Sequence, residues 1–167
     1  MTKNFKTLLI AAILFLGVNE VATAQSKIAH VDINELMTKM PAVLEAQKQL
    51  QKVGENYESE YKVMREEFQT KVKKYSAEAA TATPKVNEER QKEVQDLERR
   101  IQEFEQSAQK DISTKQADLM KPIQEKLKGA IQKVGKAKGF QYVYDSAALL
   151  LAEGPNLTAD VKKELGF

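Results

Sequence analysis

Side chains able to carry out catalysis are scarce in this sequence. His30 is the only histidine and cysteine is absent, so the chain offers neither a histidine–cysteine metal site nor a thiol nucleophile. Carboxylates such as Glu66 and Glu67 lie in a charged helical pattern, which indicates solvated surface pairs and not a general acid with its base. A phosphate-binding loop of the form G-x-x-x-x-G-K-S/T is also missing. We therefore predict no catalytic residue, no cofactor, no metal site and no enzymatic activity.

The apolar side chains have a spacing that predicts two long amphipathic helices. In residues 43–79, and again in residues 86–119, they recur at steps of three and four, as one face of a helix requires. The short run Ala-Thr-Ala-Thr-Pro, residues 80–84, separates the two sets. We expect an antiparallel helical hairpin, called the arm below, that spans residues 41–122. Residues that face each other across the arm should have numbers that add up to 165.

The start of the chain is predicted to be a signal peptide, residues 1–24. Lysines precede an apolar run, residues 8–16, that is too short to span a membrane, and residues 22–24 have the A-x-A form of a cleavage site. A retained anchor helix is the alternative interpretation. Because no cysteine follows the cleavage site, a lipid-anchored lipoprotein is excluded. We expect a mature chain that begins at Gln25, in a bacterial periplasm or outside the cell.

Short segments at both ends of the arm predict a small body, made of residues 25–40 and 123–167. Alternating and β-favouring side chains indicate strands, and polar caps followed by apolar residues indicate short helices. The predicted elements are strands at 27–31, 140–145 and 149–152, a short helix starting near Asp32, and a final helix at 159–165 capped by Thr158. The expected fold class is α+β and mostly α, with the long hairpin standing on this small β body.

The predicted strands of the body need further partners. Three short strands with open edges are barely stable alone, and exposed apolar edges promote aggregation. A symmetric oligomer in which strands of neighbouring chains close the sheet would remove these edges. The residues that we expect in this oligomerisation body are Ile28, Val31, Tyr142, Val143, Tyr144, Leu149, Leu150 and Leu151.

The order of these segments resembles the Skp/OmpH family of periplasmic chaperones. The resemblance spans the mature chain and rests on the motifs at 27–32, 139–145 and 157–161, which read Lys-Ile-Ala-His-Val-Asp, Gly-Phe-Gln-Tyr-Val-Tyr-Asp and Leu-Thr-Ala-Asp-Val. It implies a periplasmic homotrimer in which a small β-barrel carries three tentacle-like arms. These arms would enclose a cavity that holds unfolded outer-membrane proteins on their way to assembly.

A physical argument also favours a chaperone that binds its clients without ATP. With no nucleotide site to drive release, each contact must be weak and the binding multivalent. Burial of one Phe or Leu contributes about 1.5 to 3 kcal/mol, while ordering one residue costs about 1 to 2 kcal/mol. Aromatic and methionine side chains of the arm could supply such contacts if part of each remains exposed. The candidate client-contacting residues are Tyr57, Tyr61, Met64, Phe68, Tyr75 and Phe104.

The charges of the arm limit the other possible partners. Basic and acidic residues are nearly equal in number along both limbs, so the arm lacks the basic surface of a nucleic-acid-binding protein. The same neutrality argues against contact with lipopolysaccharide or an anionic membrane. Lysines in residues 126–138 can be explained by the helix dipole or by a phosphate-binding patch. The alternative to a chaperone is a coiled-coil spacer or adaptor of the envelope that binds one folded partner.

Overall fold

A computed structural model describes residues 27–167 of the chain. The predicted signal peptide, residues 1–24, lies outside the described residues. The elements in chain order are strand β1 (Ile28–Val31), helices α1 (Ile33–Lys39), α2 (Pro41–Glu78) and α3 (Pro84–Ala137), strand β2 (Tyr142–Asp145), a 3-10 turn (Ser146–Ala148) and helix α4 (Thr158–Leu165). In this described part no helix is long and apolar enough to cross a membrane.

The two long helices form the predicted hairpin. Helix α2 has 38 residues and α3 has 54, so at a rise of 1.5 Å per residue they extend about 57 and 81 Å. Thr83 ends the turn between them, because its Oγ1 accepts a hydrogen bond from the Val86 N–H, and Pro84 occupies the first turn, where no N–H donor is needed. The antiparallel helical hairpin is therefore confirmed.

Contacts between the limbs agree with the predicted register. Lys71 pairs with Glu93, and the Asn87 side chain donates a 2.9 Å hydrogen bond to the Ala79 carbonyl oxygen. In each of these pairs the two residue numbers add up to within one of 165. The apolar stripes consequently face each other along the arm, and charged side chains flank the seam between them.

The root of the hairpin has its own small core. Met40, Val43, Ala46 and Ile123 are buried together there. Pro41 begins α2, whereas Pro122 lies inside α3, which continues through it for another fifteen residues to Ala137. This core joins the two limbs at the point where the arm meets the body.

A second apolar core holds the body together. Its buried residues come from β1, α1, the last part of α3 and the C-terminal segment; they are Ala29, Val31, Leu36, Leu127, Ala130, Val134, Leu157 and Val161. The most deeply buried among them include Leu36 and Val161, both with no exposed surface. Because these residues lie far apart in the sequence, the two ends of the described chain are packed against the base of α3.

Strands β1 and β2 form a two-stranded parallel sheet. Ile28 is paired with Tyr142, and Val31 with Asp145. On its other side β1 is bonded to the segment before α4, since the His30 N–H donates to the Pro155 carbonyl at 2.9 Å. Strand β2 lies on Gly135 of α3, where an added Cβ would come within 3.0 Å of the Val143 side chain. Within the described chain, therefore, only β2 keeps a free sheet edge.

The predicted third strand, residues 149–152, is wrong. These residues form an irregular loop after the 3-10 turn, and Leu150 and Leu151 are 109% and 73% exposed. The outer edge of β1, which such a strand could have joined, is already occupied by residues 155–157. Composition alone favoured a strand here, but a strand needs a partner, and residues 149–152 pair with no other segment of the described chain.

Two further predictions for the body need correction. The second strand begins at Tyr142 and not at residue 140, because the Phe140 N–H still bonds to the Gly135 carbonyl at the end of α3. Thr158 is not a cap, since it is the first residue of α4 and its own N–H donates to the Asn156 side chain at 2.8 Å. Asp32, in contrast, caps α1, accepting from the Glu35 N–H at 2.7 Å; of the two caps that the sequence allowed, Asp32 and Asn34, the structure has the first.

Candidate functional site on the arm

The six candidate client-contacting residues all lie along the seam of the arm. Each of them, Tyr57, Tyr61, Met64, Phe68, Tyr75 and Phe104, is half-buried. The fully buried seam positions above the root belong to α3 and are Leu97, Ile101 and Ala108. The buried aliphatic residues of α3 thus close the seam, while the aromatic and methionine side chains keep part of their surface open to solvent.

In the middle of the arm, two aromatic rings meet across the seam. Tyr57 and Phe104 pack edge to face, with ring centroids 5.7 Å apart. The Tyr57 hydroxyl donates a 2.9 Å hydrogen bond to Asp111, and this carboxylate raises the pKa of Tyr57 above its ordinary value. Glu105 likewise raises the pKa of the Tyr61 hydroxyl. Tyr57 is therefore held by a polar partner on α3 as well as by apolar contact.

Two open grooves run beside this aromatic pair. The first, which we call the valine groove, has a volume of about 630 Å³ and is lined by Ser59, Glu60, Val63, Met64, Arg100, Glu103, Phe104 and Ser107. The second, the tyrosine groove, has a volume of about 380 Å³ and is lined by Tyr57, Glu58, Tyr61, Phe104, Glu105, Ala108, Gln109 and Ile112. Phe104 belongs to both. Because helical positions advance by about 100° per residue, Glu60 and Glu58 lie on opposite flanks of the seam, and so do the two grooves.

Near the tip, Tyr75 is enclosed by charged side chains. Its hydroxyl donates a 2.5 Å hydrogen bond to Glu93, which also pairs with Lys71, and the guanidinium of Arg90 lies 4.8 Å from the ring centroid. The hydrogen bond from Lys71, with a further one from Tyr75, lowers the pKa of Glu93, and Glu93 raises the pKa of Tyr75. Arg90 also forms an ion pair with Glu78. This cluster ties the two limbs together at the tip.

Phe68 lies between the middle of the arm and its tip. The guanidinium of Arg65 lies 6.0 Å from the centre of the Phe68 ring, at the outer limit of a cation–π contact. Met64, four residues earlier, is part of the valine groove. The six predicted residues therefore have different local environments along the arm and do not line one common pocket.

The predicted oligomerisation residues of the body are divided between core and surface. Val31 is 1% exposed and belongs to the core of the chain itself, so it offers no surface to another copy. Val143 and Leu149 are half-buried. The remaining five, Ile28, Tyr142, Tyr144, Leu150 and Leu151, are exposed, and the rings of Tyr142 and Tyr144 stack on one another at 6.4 Å. A largely apolar surface therefore lies beside the free edge of β2.

Val63 is a prominent arm residue that is not among the six predicted from the sequence. It is 63% exposed, more than any other large apolar side chain of α2 and α3 in the described chain. Our selection followed the seam stripe, from which Val63 is displaced by one position relative to Met64. Val63 could have been identified from the sequence as an apolar residue that lies outside the stripe on an otherwise charged helix face. Among residues 27–167 no group of three acidic or histidine side chains is arranged to hold a metal ion.

Comparison with known proteins agrees with the architecture just described. A Skp chaperone protein from Photorhabdus luminescens is 28% identical over 145 residues, which cover 86% of this chain and 88% of the relative. A Skp chaperone protein from Pectobacterium atrosepticum is 24% identical over 153 residues, covering 91% and 93%. A solved OmpH-like chain from Caulobacter crescentus superposes with a TM-score of 0.77 over 85% of both chains; at 17% identity this likeness shows the fold.

The family comparison covers nearly all of the described residues. The sequence model of the family described as "Outer membrane protein (OmpH-like)" matches residues 27–165, from β1 to the last residue of α4. The match includes the hairpin and both parts of the body, so the resemblance is not confined to a shared coiled-coil pattern. This chain belongs to the OmpH-like outer membrane protein family.

Proposed function

We propose that this chain is a periplasmic holdase chaperone that binds unfolded outer-membrane proteins without ATP and delivers them for membrane assembly. The Skp relatives are chaperones by name, which favours this function over that of a coiled-coil spacer or adaptor. The observation that carries the proposal is the half-burial of the aromatic and methionine side chains along the arm. These side chains can contact a client without the hairpin having to open.

The energetics of the arm suit reversible binding. Because the seam already buries part of each ring, a client that covers the rest gains less than the 1.5 to 3 kcal/mol of complete burial, roughly 1 kcal/mol per side chain. Several such contacts along one arm, and more across several arms, would add up to useful affinity. Each single contact remains weak enough to break, so a client can leave as soon as a competing site takes it up.

We further propose that the chain works as a homo-oligomer, and that a trimer is the form implied by the family. The support is the exposed apolar surface of the body, chiefly Tyr142, Tyr144, Leu150 and Leu151, next to the free edge of β2. Strands of a neighbouring chain would cover this surface and complete the sheet. The body, residues 25–40 and 123–167, would then be the oligomerisation domain, and residues 41–122 would project from it as the arm.

The cellular setting of this function follows from the signal peptide proposed for residues 1–24. Cleavage after Ala24 would release the mature chain into the periplasm, which unfolded outer-membrane proteins cross. The arm has nearly equal numbers of acidic and basic residues, so we do not include nucleic acid, lipopolysaccharide or membrane surfaces among its partners.

The test is dilution of a urea-unfolded outer-membrane β-barrel protein into buffer that contains the mature chain, residues 25–167, without nucleotide. Light scattering reports aggregation of the client, and the mass of the chaperone in solution is measured in parallel. We expect aggregation to be suppressed near one oligomer per client. Aggregation equal to that in buffer alone, with the oligomer intact, would refute the proposed function.

A further inference from the structure

We infer that, in the middle of the arm, unfolded polypeptide binds on one side of the seam, in the valine groove and not in the tyrosine groove. This inference rests on the proposed function and adds two things to it: the side of the arm that is used, and the chemistry of the segment that is taken. That segment is an extended stretch of main chain whose apolar side chain enters between α2 and α3.

The apolar part of the valine groove is built by three residues. Met64 and Phe104 are half-buried, while Val63 stands beside them with 63% of its surface exposed. A single exposed valine would be unremarkable on a protein surface. Here, however, it continues the surface of Met64 and Phe104 into one concave site. The unbranched thioether chain of a methionine adapts to partners of different shape, which suits a site that must accept many sequences.

The groove is large enough to hold a short segment of polypeptide, and not only one small chemical group. Its volume of about 630 Å³ lies within the range of about 300 to 1,000 Å³ that is typical of ligand sites in proteins. The groove is open along its length, because it lies between two helices. An extended chain can therefore pass through it, with one side chain inserted and its neighbours pointing away.

The rim of the groove complements a peptide backbone. Glu60 lies on α2 and Arg100 on α3 beside the groove. Glu103, the other charged residue of its lining, is paired with Arg99 of its own helix. Neither Glu60 nor Arg100 forms an ion pair or a side-chain hydrogen bond with any residue of the described chain. Each edge of an extended segment presents both backbone N–H donors and C=O acceptors. Glu60 can accept from an N–H on one edge, and Arg100 can donate to a C=O on the other.

In the tyrosine groove, on the other side of the seam, side chains already interact with other residues of the arm. The Tyr57 hydroxyl donates a 2.9 Å hydrogen bond to Asp111, and the Glu105 carboxylate raises the pKa of the Tyr61 hydroxyl. Ala108 is buried, so it adds little surface to the groove, whose volume is also smaller, about 380 Å³. A client bound there would have to compete with the hydrogen bond that Tyr57 makes to Asp111 within the arm. The two sides of the same seam therefore differ in what they leave free for a partner.

Single-cysteine labelling tests this difference, since the chain has no cysteine of its own. The variants are Val63→Cys in the valine groove and Gln109→Cys in the tyrosine groove, both at exposed helical positions, each labelled with a benzophenone maleimide. The labelled mature proteins are mixed with a urea-unfolded β-barrel membrane protein, diluted and irradiated. We expect about tenfold more client cross-linked at position 63, the ratio that corresponds to about 1.4 kcal/mol.

Several outcomes would overturn the inference. Equal yields at the two positions would do so, and so would cross-links that join two copies of this chain in place of the client. A parallel comparison uses Val63→Asp, expected to speed client dissociation about tenfold, against Gln109→Asp, expected to leave it unchanged. Equal dissociation rates would refute one-sided binding. If the unlabelled chain itself fails to hold the client, the proposed function fails; if it holds the client but the sides are equivalent, only this inference fails.

Discussion

Asp32 and Thr158 are joined directly although 126 residues separate them: the Asp32 main-chain N–H donates to Thr158 Oγ1 at 2.9 Å. The Thr158 hydroxyl in turn donates to the Asn156 side chain at 2.6 Å. Asp32 caps α1 and Thr158 is the first residue of α4, so this chain of hydrogen bonds fixes the two ends of the body to each other. The hairpin is thereby anchored at its base by both ends of the described chain.

Replacement of the Thr158 hydroxyl should destabilise the body. Thr158→Ala leaves the Asp32 N–H without its acceptor in a site where Thr158 is 5% exposed, and we expect a loss of about 1 to 2 kcal/mol in the free energy of unfolding. Urea unfolding followed by circular dichroism measures this loss. Thr38→Ala is the matched control, because the Thr38 hydroxyl bonds only to carbonyls of its own helix and is exposed. Equal losses in the two variants would contradict the role given to Thr158.

Acid should weaken the link between α1 and α4. Glu35 pairs with Lys162 of α4 and with Lys39, and hydrogen bonding to Lys162, followed by that to Lys39, lowers the pKa of Glu35 from 4.5 to about 2. A carboxylate whose pKa is lower in the folded state stabilises the fold fully above its unfolded pKa, and this contribution is lost as the pH falls towards the folded value. The free energy of unfolding should therefore fall between about pH 4.5 and pH 2.

The glutamine variant separates this effect from those of other carboxylates. In Glu35→Gln the pH dependence of unfolding should be shallower than in the unchanged chain over the same acidic range, because one coupled proton is lost. Urea midpoints measured at several pH values provide the comparison. Parallel curves for the two proteins would show that Glu35 is not linked to folding.

The tip of the arm should depend on Arg90. Removing this side chain in Arg90→Ala deletes its contact with Tyr75 and its ion pair with Glu78 on the other limb, a change that we expect to cost about 1 kcal/mol. Amide hydrogen exchange in the adjoining parts of α2 and α3 should become faster. Arg99→Ala removes the same charge, but Arg99 pairs only with Asp96 and Glu103 of its own helix, so exchange at the tip should not change. Faster tip exchange in both variants would point to net charge as the cause.

Two glycines of α3 should respond differently to the same substitution. At Gly129 an added Cβ meets nothing within 4 Å, so Gly129→Ala should stabilise the helix by about 0.5 to 1 kcal/mol. At Gly135 the Cβ would lie 3.0 Å from Val143, so Gly135→Ala should lose that gain or destabilise the fold. Thermal unfolding of the two variants gives the comparison. An equal gain at both positions would show that β2 does not pack closely on α3.

Periodicity predicted the arm well because its signal is repeated over many turns. A stripe from Val43 to Ala79 has few alternatives to a long helix, and the register followed from placing two such stripes against each other. The body was harder to predict, because its elements are short and depend on partners. Leu149 to Leu151 has the composition of a strand, yet in the described chain it pairs with neither β1, whose outer edge residues 155–157 occupy, nor β2. Thr158 stabilises the body through Asp32 instead of capping its own helix.

The candidate site was predicted only in part for a related reason. The stripe identified Met64 and Phe104, which lie at the seam, but the sequence does not distinguish the two flanks of that seam. Val63 is off the stripe, and only the packed hairpin places it beside Met64 in an open groove. Likewise, nothing in the local sequence of Tyr57 indicated that its hydroxyl would bond to Asp111 on the other limb.

The measurement that tests the central claim most directly is hydrogen–deuterium exchange of the mature chain, with and without a urea-unfolded β-barrel membrane protein. If the arm holds clients, amide exchange should slow in its middle, residues 57–68 and 97–108, because a bound client stabilises the state that binds it. Exchange in β1 and β2 should not change. Client held soluble with no slowing in the arm, or with protection confined to the body, would contradict the account.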